Sequence, residues 1–420
     1  MQRLNHILIL FICFLGIVDA QSQMLQRTGY LYSELSLKLS SMPGNSGNHY
    51  MQPDTLQLNT WKNTLNQLFL GNYTAASDSA NTIGYNLVNF TDTFSTPHST
   101  YLLLETAGSN FWGTYVYYPN YCRPVIIQAP HAIKDANTGL QGIHVFRKTK
   151  ALFYQVNGTH RCNCSVQSTC TGTTAGCSTN SQPYPVSDLA HVSASIFQKT
   201  TEVVMTAFPN SYFFQLHGFT KRSSDPYVIL SNGTTVTPSP DYISSFSANL
   251  RRQDTVLTFK IAHLDTNWTR LRGFWNTQSR LLNASPNPCI TSATNTTGRF
   301  IHMEQERVRL RSNVAAWNKT ANALNSTFPC IQVKVERNLI RPRLLRVYPN
   351  PTMDKVTVEW YFSISKNNKI QLFNTLGQML TDKISSKQLS QNKTELDLSA
   401  LPLGVYFIRC GNLTSQLIKQ

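Results

Sequence analysis

Histidine, aspartate and glutamate recur where short apolar runs of this chain end. Val125-Ile126-Ile127-Gln128-Ala129-Pro130 runs into His131, with Asp135 one turn further on. Tyr212-Phe213-Phe214-Gln215-Leu216 runs into His217, and Phe300-Ile301-His302-Met303 into Glu304. Ala151 to Val156 leads to His160-Arg161. Imidazoles and a carboxylate converging on one place are the equipment of a catalytic zinc site, which takes three protein ligands and leaves one position for water. The ion lowers the pKa of that water, and an unliganded carboxylate nearby takes its proton. On this reading His131, Asp135 and His217 are the zinc ligands and Glu304 is the general base. Arg161 suits a substrate carboxylate held in a bidentate fork. His160 and His191 are further substrate-binding candidates, with a capping or surface role equally open for His191. Taken singly, each His reads as a hydrogen-bonded loop residue. Four apolar runs ending in His or Glu, in a chain with only 10 His and 21 acids, favour the metal site.

Several other chemistries lack their motifs. There is no G-x-S-x-G elbow, no G-x-G-x-x-G after a strand and no G-x-x-x-x-G-K-[ST] loop. His160-Arg161 lacks the Arg-His-Gly order of a phosphohistidine site. Glu306, Arg307, Arg309 and Arg311 follow Glu304, and one arginine of the three is a candidate anion clamp.

The elements that must position these residues alternate in type. Strands are expected at Val125–His131, Ala151–Val156, Tyr212–Gly218, Val228–Gly233, Thr255–Ile261 and Phe300–Gln305. Helices are expected at Thr138–Lys150, Asp188–Ala207 (capped by Ser187 or Asp188), Asp241–Arg251 and Ser312–Leu324. Repeated strand-helix-strand reads as an α/β domain with a mostly parallel sheet flanked by helices, whose sites lie beyond the carboxyl ends of the strands. This domain is assigned to residues 96–335. Residues 21–95 read as an N-terminal helical hairpin: Leu56, Trp61, Leu65, Leu68 and Phe69 recur at helical spacing, Gly71-Asn72 breaks it, and Ala75, Ala76, Ala80, Tyr85 and Leu87 suggest the second helix. Residues 344–420 read as a small all-β sandwich of short strands separated by turns.

The 420 residues are 41% hydrophobic and 14% charged, which excludes a disordered chain and allows a sizeable core. Thirty-seven basic against 21 acidic residues give a net charge of +16, but the basic residues are scattered. No Lys/Arg-rich run marks a nucleic-acid site, so nucleic acid is not an expected partner. Residues 1–20 read as a signal peptide, with Arg3, an apolar run over 7–18 and small residues before Gln21. That run is too short to span a bilayer, which takes about twenty residues, and no later stretch suggests a transmembrane helix. An exported chain fits its cysteines. Of 9, Cys13 leaves with the signal, and the rest are expected to form disulfides. Cys162, Cys164, Cys170 and Cys177 staple a Ser/Thr-rich loop by one or two bridges, a zinc knuckle being the alternative. Cys289 with Cys330 is a further expected bridge. Glycosylation sequons stand at Asn72, Asn89, Asn157, Asn163, Asn232, Asn267, Asn283, Asn295, Asn318, Asn325, Asn392 and Asn412.

Two resemblances follow from these motifs. Val347-Tyr348-Pro349-Asn350-Pro351, Leu372-Phe373-Asn374-Thr375-Leu376-Gly377-Gln378 and Leu396 to Ile408 resemble, in that order, the type A sorting domain of the type IX secretion system of Bacteroidota. The resemblance implies an address: contact with the secretion machinery and a secreted, extracellular or cell-surface location. Ala129-Pro130-His131 with Asp135, then Gln215-Leu216-His217-Gly218, then His302-Met303-Glu304 resemble the layout of zinc carboxypeptidases, N-formylglutamate amidohydrolases and N-acetylmuramoyl-L-alanine amidases. That implies a zinc-dependent hydrolase of amide bonds in a peptide or cell-wall-type substrate. The pattern departs from the carboxypeptidase His-x-x-Glu, since Asp135 lies one residue further along. The competing expectation is a non-catalytic surface adhesin or glycan binder, with Tyr115, Tyr117, Tyr118 and Tyr121 lining a binding face or, alternatively, packing on a half-buried sheet.

Overall fold

The structure is a computed structural model that describes residues 24–94, 98–106, 108, 110–330, 345–360, 370–390, 392–411 and 413–420. The signal peptide expected at 1–20 and the sequon at Asn412 lie outside them. The strands of the large domain are β1 (Leu25–Gly29), β2 (Tyr85–Asp92), β3 (His98–Glu105), β4 (Thr114–Tyr117), β5 (Arg123–Ala129), β6 (Ala151–Val156), β7 (Thr173–Thr174), β8 (Gln182–Pro183), β9 (Tyr212–Gly218), β10 (Val228–Ser231), β11 (Phe259–Ile261) and β12 (Phe300–Gln305). The helices are α1 (Leu31–Ser40), α2 (Thr55–Phe69), α3 (Tyr73–Asn81), α4 (Thr138–Thr149), α5 (Ile196–Ala207), α6 (Tyr242–Gln253), α7 (Thr277–Leu282), α8 (Arg307–Leu310) and α9 (Val314–Thr327).

Ten strands form one sheet in the order β1-β2-β3-β4-β6-β5-β9-β12-β10-β11. The four central strands, β6, β5, β9 and β12, are mutually parallel. Antiparallel pairs join this centre to β4 on one side and β10 on the other. The central strands are buried on both faces, as parallel sheets require, and are mainly apolar apart from Gln128, Gln155 and Gln215 and the polar residues toward the ends of β9 and β12. One core cluster includes Ile127, Tyr154, Phe214, Met303 and Leu324, and another Trp61, Phe153, Phe197, Phe213 and Phe300. The chain leaves β5 to one side for β6 and crosses to the other side for β9. The carboxyl end of β5 is therefore a topological switch point, where open α/β sheets leave a crevice.

The expected helical hairpin is α2 with α3. Asp54 caps α2 by accepting the Gln57 amide at 2.7 Å, and the Gln57 side chain returns the bond. Its second helix stops at Asn81, so Tyr85 and Leu87 lie on β2 instead, where the sheet buries both. The helix expected from Asp188 begins only at Ile196, capped by Ser195. Asp188 is withdrawn from any capping role because its carboxylate is wholly committed to buried partners. The strand expected from Thr255 reduces to Phe259–Ile261. Tyr115, Tyr117 and Tyr118 are buried in the sheet and form no binding face. The C-terminal residues make two antiparallel sheets, β13 (Leu345–Tyr348), β14 (Lys355–Trp360), β17 (Lys393–Asp397) and β16 (Ser385–Ser390) in one, β15 (Gln371–Asn374), β18 (Gly404–Cys410) and β19 (Leu413–Lys419) in the other. They share a core of Val358, Trp360, Leu396, Ile408 and Leu417.

The disulfides are Cys122–Cys330, Cys162–Cys177 and Cys170–Cys289. The expected Cys289–Cys330 bridge is replaced: Cys289 sits against the Thr171 loop, whose amide donates to the Cys289 carbonyl at 2.9 Å, and Cys330 follows α9 to the start of β5. Cys164 and Cys410 are buried free thiols. Asn157, Asn163, Asn232 and Asn283 are buried and hydrogen-bonded, so the folded chain has no room for a glycan there. Asn163 accepts the His49 and Tyr50 amides at 2.7 and 3.1 Å. It donates to the Gly44 and Ser46 carbonyls at 2.7 and 2.8 Å. Asn163→Ala leaves these groups without their partner and is expected to lower stability by about 2–4 kcal/mol, read as a lower denaturation midpoint in urea.

Candidate metal centre

His131 stands just past β5, and the chain turns at once. The Asp135 amide donates to the His131 carbonyl at 2.9 Å, and this single turn brings the Asp135 carboxylate back over the imidazole. His217 lies near the end of β9, in register with Glu304 on β12. Registered residues on parallel neighbours point to the same face, so both side chains meet the His131 turn at one edge. His131 Nδ1, His217 Nδ1 and Asp135 Oδ2 form a nearly equilateral triangle of 3.1, 3.2 and 3.3 Å. The Gly218 amide donates to the same Asp135 oxygen at 3.2 Å.

The hydrogen bonds behind the triangle decide which imidazole nitrogens carry protons. His131 Nε2 faces Asp188 Oδ1 at 2.7 Å and must donate to it. For His217 the assignment starts at the Leu189 carbonyl, which can only accept. It receives Gln278 Nε2 at 2.9 Å, so Gln278 Oε1 faces Gln215 Nε2 at 3.2 Å. Gln215 Oε1 is thereby turned to His217 Nε2 at 2.8 Å, which must carry the proton. Both Nδ1 atoms then present lone pairs to each other and to a carboxylate oxygen. Three lone pairs at such separations repel unless a proton or cation lies among them. Tetrahedral ligands about 2.0–2.1 Å from zinc are about 3.3 Å apart, so the triangle fits such an ion. The far nitrogens are tied to a carboxylate and an amide, which fix the ring orientation as is usual for metal-binding histidines.

Asp188 is the anchor of this edge. Its fully buried carboxylate takes His131 Nε2 and, at 2.9 Å, His191 Nδ1 on one oxygen. Its other oxygen accepts Arg161 Nε at 2.9 Å and Arg161 Nη2. Burial opposes the charge, but Arg161, His191 and His131 hold the Asp188 carboxyl well below the usual range. Asp135 is likewise driven down, its burial outweighed by His131 and His217. Burial, assisted by His131, pushes His217 down to about 4. Glu304 goes the other way: burial first, then the Asp135 charge, raise it well above the usual carboxylate value. Its Oε2 has no hydrogen-bond partner among the described residues.

The sequence-derived candidates thus gather at one edge, with different surroundings. Arg161 is engaged by Asp188 through Nε and Nη2, and its Nη1 approaches His131 Nδ1 to 3.4 Å. His160 accepts the Cys162 amide on Nδ1 at 3.1 Å. His191 lies five residues before α5 and stacks on Tyr184 with centroids 3.8 Å apart. Arg309 pairs with Asp254, and Arg311 is consumed by the Gln305, Ala136 and Phe219 carbonyls, so neither is a free anion clamp. Sequence reasoning missed Asp188, Gln215 and His302. Strand alternation places His302 on the face of Glu304, a signal the sequence did contain. Nothing local marks Asp188 as a partner of His131.

No curated protein matches the chain. Solved structures similar to it include N-formylglutamate amidohydrolase from Ralstonia eutropha, at 9% identity over 52% of this chain and 95% of that one, with a TM-score of 0.31. Another is a protein assigned as a carboxypeptidase from Burkholderia mallei, at 13% identity over 62% and 65%, TM-score 0.31. A third is a protein assigned as a metallopeptidase from Shewanella denitrificans, at 10% identity over 63% and 85%, TM-score 0.27. At these scores the reading of the site rests on its own residues. Among the described residues no helix is long and apolar enough to cross a membrane. Residues 346–420 match the secretion system C-terminal sorting domain, so the chain carries the address of a secreted or cell-surface protein.

Proposed function

We propose that the chain is an exported zinc-dependent hydrolase of amide bonds, acting on a peptide or cell-wall-type substrate. The observation that carries this reading is the triangle of His131 Nδ1, Asp135 Oδ2 and His217 Nδ1, with the far imidazole nitrogens fixed by Asp188 and Gln215. These three residues would hold the ion, which supplies Lewis acidity for polarising a carbonyl and activating water. Glu304, beside His217 with Oε2 unpartnered among the described residues, is the group to accept a proton from water and return it to the leaving amine. Arg161, kept charged by Asp188, directs Nη1 toward His131 and favours negative charge developing on substrate oxygen. His160 and His191 complete the substrate-binding set in this proposal, His191 acting through Asp188. An adhesin reading loses its tyrosine face, since three of the four tyrosines are buried.

Metal content of the purified chain tests this directly. His131→Ala and His217→Ala are expected to abolish high-affinity zinc binding, measured by elemental analysis after dialysis. Asp188→Ala, which frees His131 Nε2, is expected to weaken zinc binding about 10–100-fold. Glu304→Gln is expected to keep the tightly bound ion while turnover of N-acylated amino acid and peptide amides falls about 10²–10⁴-fold. Full activity in that variant overturns the assignment of the base.

A further inference from the structure

The C-terminal sandwich divides its apolar residues into two groups. Leu372, Leu396, Leu398 and Ile408 are buried in the core that the two sheets share, and folding explains them. Folding does not explain the most exposed large apolar side chains among the described residues of the sandwich. These are Leu376 at 81%, Met353 at 77% and Leu403 at 73%.

Strand pairing brings the three to one end. Asn374, the last residue of β15, pairs with Tyr406, so the turn carrying Leu376 lies beside the start of β18, which Leu403 precedes. Gly404 pairs with Lys419 on β19, and Lys419 bridges to Thr352, the residue before Met353. In the other sheet Lys355 pairs with Asp397, so the chain crosses between the sheets over 398–403 at this same end. Three turns, 349–353, 375–378 and 399–403, thus share one surface. They contain no charged residue, in a chain of net charge +16.

Each turn is held in place. The Asn350 side chain donates to the Gln416 carbonyl at 2.7 Å and accepts the Ile418 amide at 2.8 Å. Asn374 Oδ1 accepts the Leu376 and Gln378 amides at 3.0 and 2.9 Å. The buried Lys419 ammonium donates to the Leu398 and Leu401 carbonyls at 2.9 and 2.7 Å. Exposed apolar side chains grouped on uncharged turns have the composition of an interface centre, and turns already ordered lose little freedom on binding. Asp354 and Lys355, both exposed, stand at the rim. An anionic membrane surface would instead be met by clustered Lys and Arg.

We infer that this end of the sandwich docks on a protein of the secretion machinery, with Leu376, Met353 and Leu403 entering an apolar depression on that partner. The match of residues 346–420 to a secretion sorting domain fixes the occupant, since such an address is read by the machinery that exports the chain. The inference stands apart from the metal centre.

Export of the full chain from a bacterium that runs a type IX secretion system tests it. Leu376→Lys combined with Leu403→Lys is expected to fold, as read by thermal unfolding, and to lower the exported fraction at least about tenfold. Leu389→Lys, near the far end of β16, is expected to leave export unchanged. A folded double variant exported like the native chain overturns the surface, and so does loss of export in folded Leu389→Lys. If the double variant fails to fold, Leu376→Ser with Leu403→Ser replaces it, and undiminished export of that pair overturns the surface equally. Two measurements on the purified full chain address other occupants. A native dimer that the double variant dissolves, read by sedimentation, assigns the end to a second copy. Flotation with phosphatidylglycerol vesicles that the double variant abolishes assigns it to lipid. Either result overturns the protein partner.

Discussion

A single buried negative charge, on Asp188, organises the functional edge of the sheet. A carboxylate with no exposure is costly unless it is paired and its oxygens are filled. Here two histidines and one arginine fill them. That bonding fixes the proton of His131, restrains Arg161 and holds His191 in place. Removing the carboxylate would free all three at once. The arrangement also explains why the chain from Asp188 to Ser195 is irregular: a capping role would have turned the carboxylate toward the amides of its own helix.

Beneath the metal centre runs a second constraint, a layer of buried amides. Gln155, Gln128 and Gln215 are in register across β6, β5 and β9. Gln215 donates to both Gln128 and Gln278, and Gln278 donates to the Leu189 carbonyl. Glutamines in the middle of strands lower stability where a group is unsatisfied, as at Gln155 Oε1, which has no partner among the described residues. Their arrangement carries orientation from a backbone carbonyl to His217. A parallel sheet otherwise offers only apolar side chains, which cannot choose an imidazole tautomer.

The disulfides place covalent restraints around the same edge. Cys162–Cys177 begins at the residue after Arg161, and Cys170–Cys289 joins the intervening loop to the segment after α7. Cys122–Cys330 closes the large domain by tying the start of β5 to the end of α9. Three bridges suit a chain that works outside the cell, as its sorting domain implies.

The sequence alone determined the elements that bear long apolar runs and the polar residues that end them. The runs at Val125, Tyr212 and Phe300 became central parallel strands, because burial on both faces demands continuous apolar side chains. His131, Asp135, His217 and Glu304 meet at one edge for the same reason: strands running the same way end on the same side. The C-terminal motifs were legible because turn residues and apolar alternation are local signals. Tertiary structure decided the rest. Asp188 and His131 are distant in sequence, so their bond has no local signature, and Ser187-Asp188 reads as a helix start. Cysteine pairing depends on which loops pack together, so Cys289 joined Cys170 instead of Cys330. Tyr85 and Leu87 fit a helical pattern, but pairing of β2 with β3 buries them in a strand. The imidazole tautomers, on which the metal reading depends, follow from contacts among β9, α7 and the Asp188 loop, and exist only once these elements are packed.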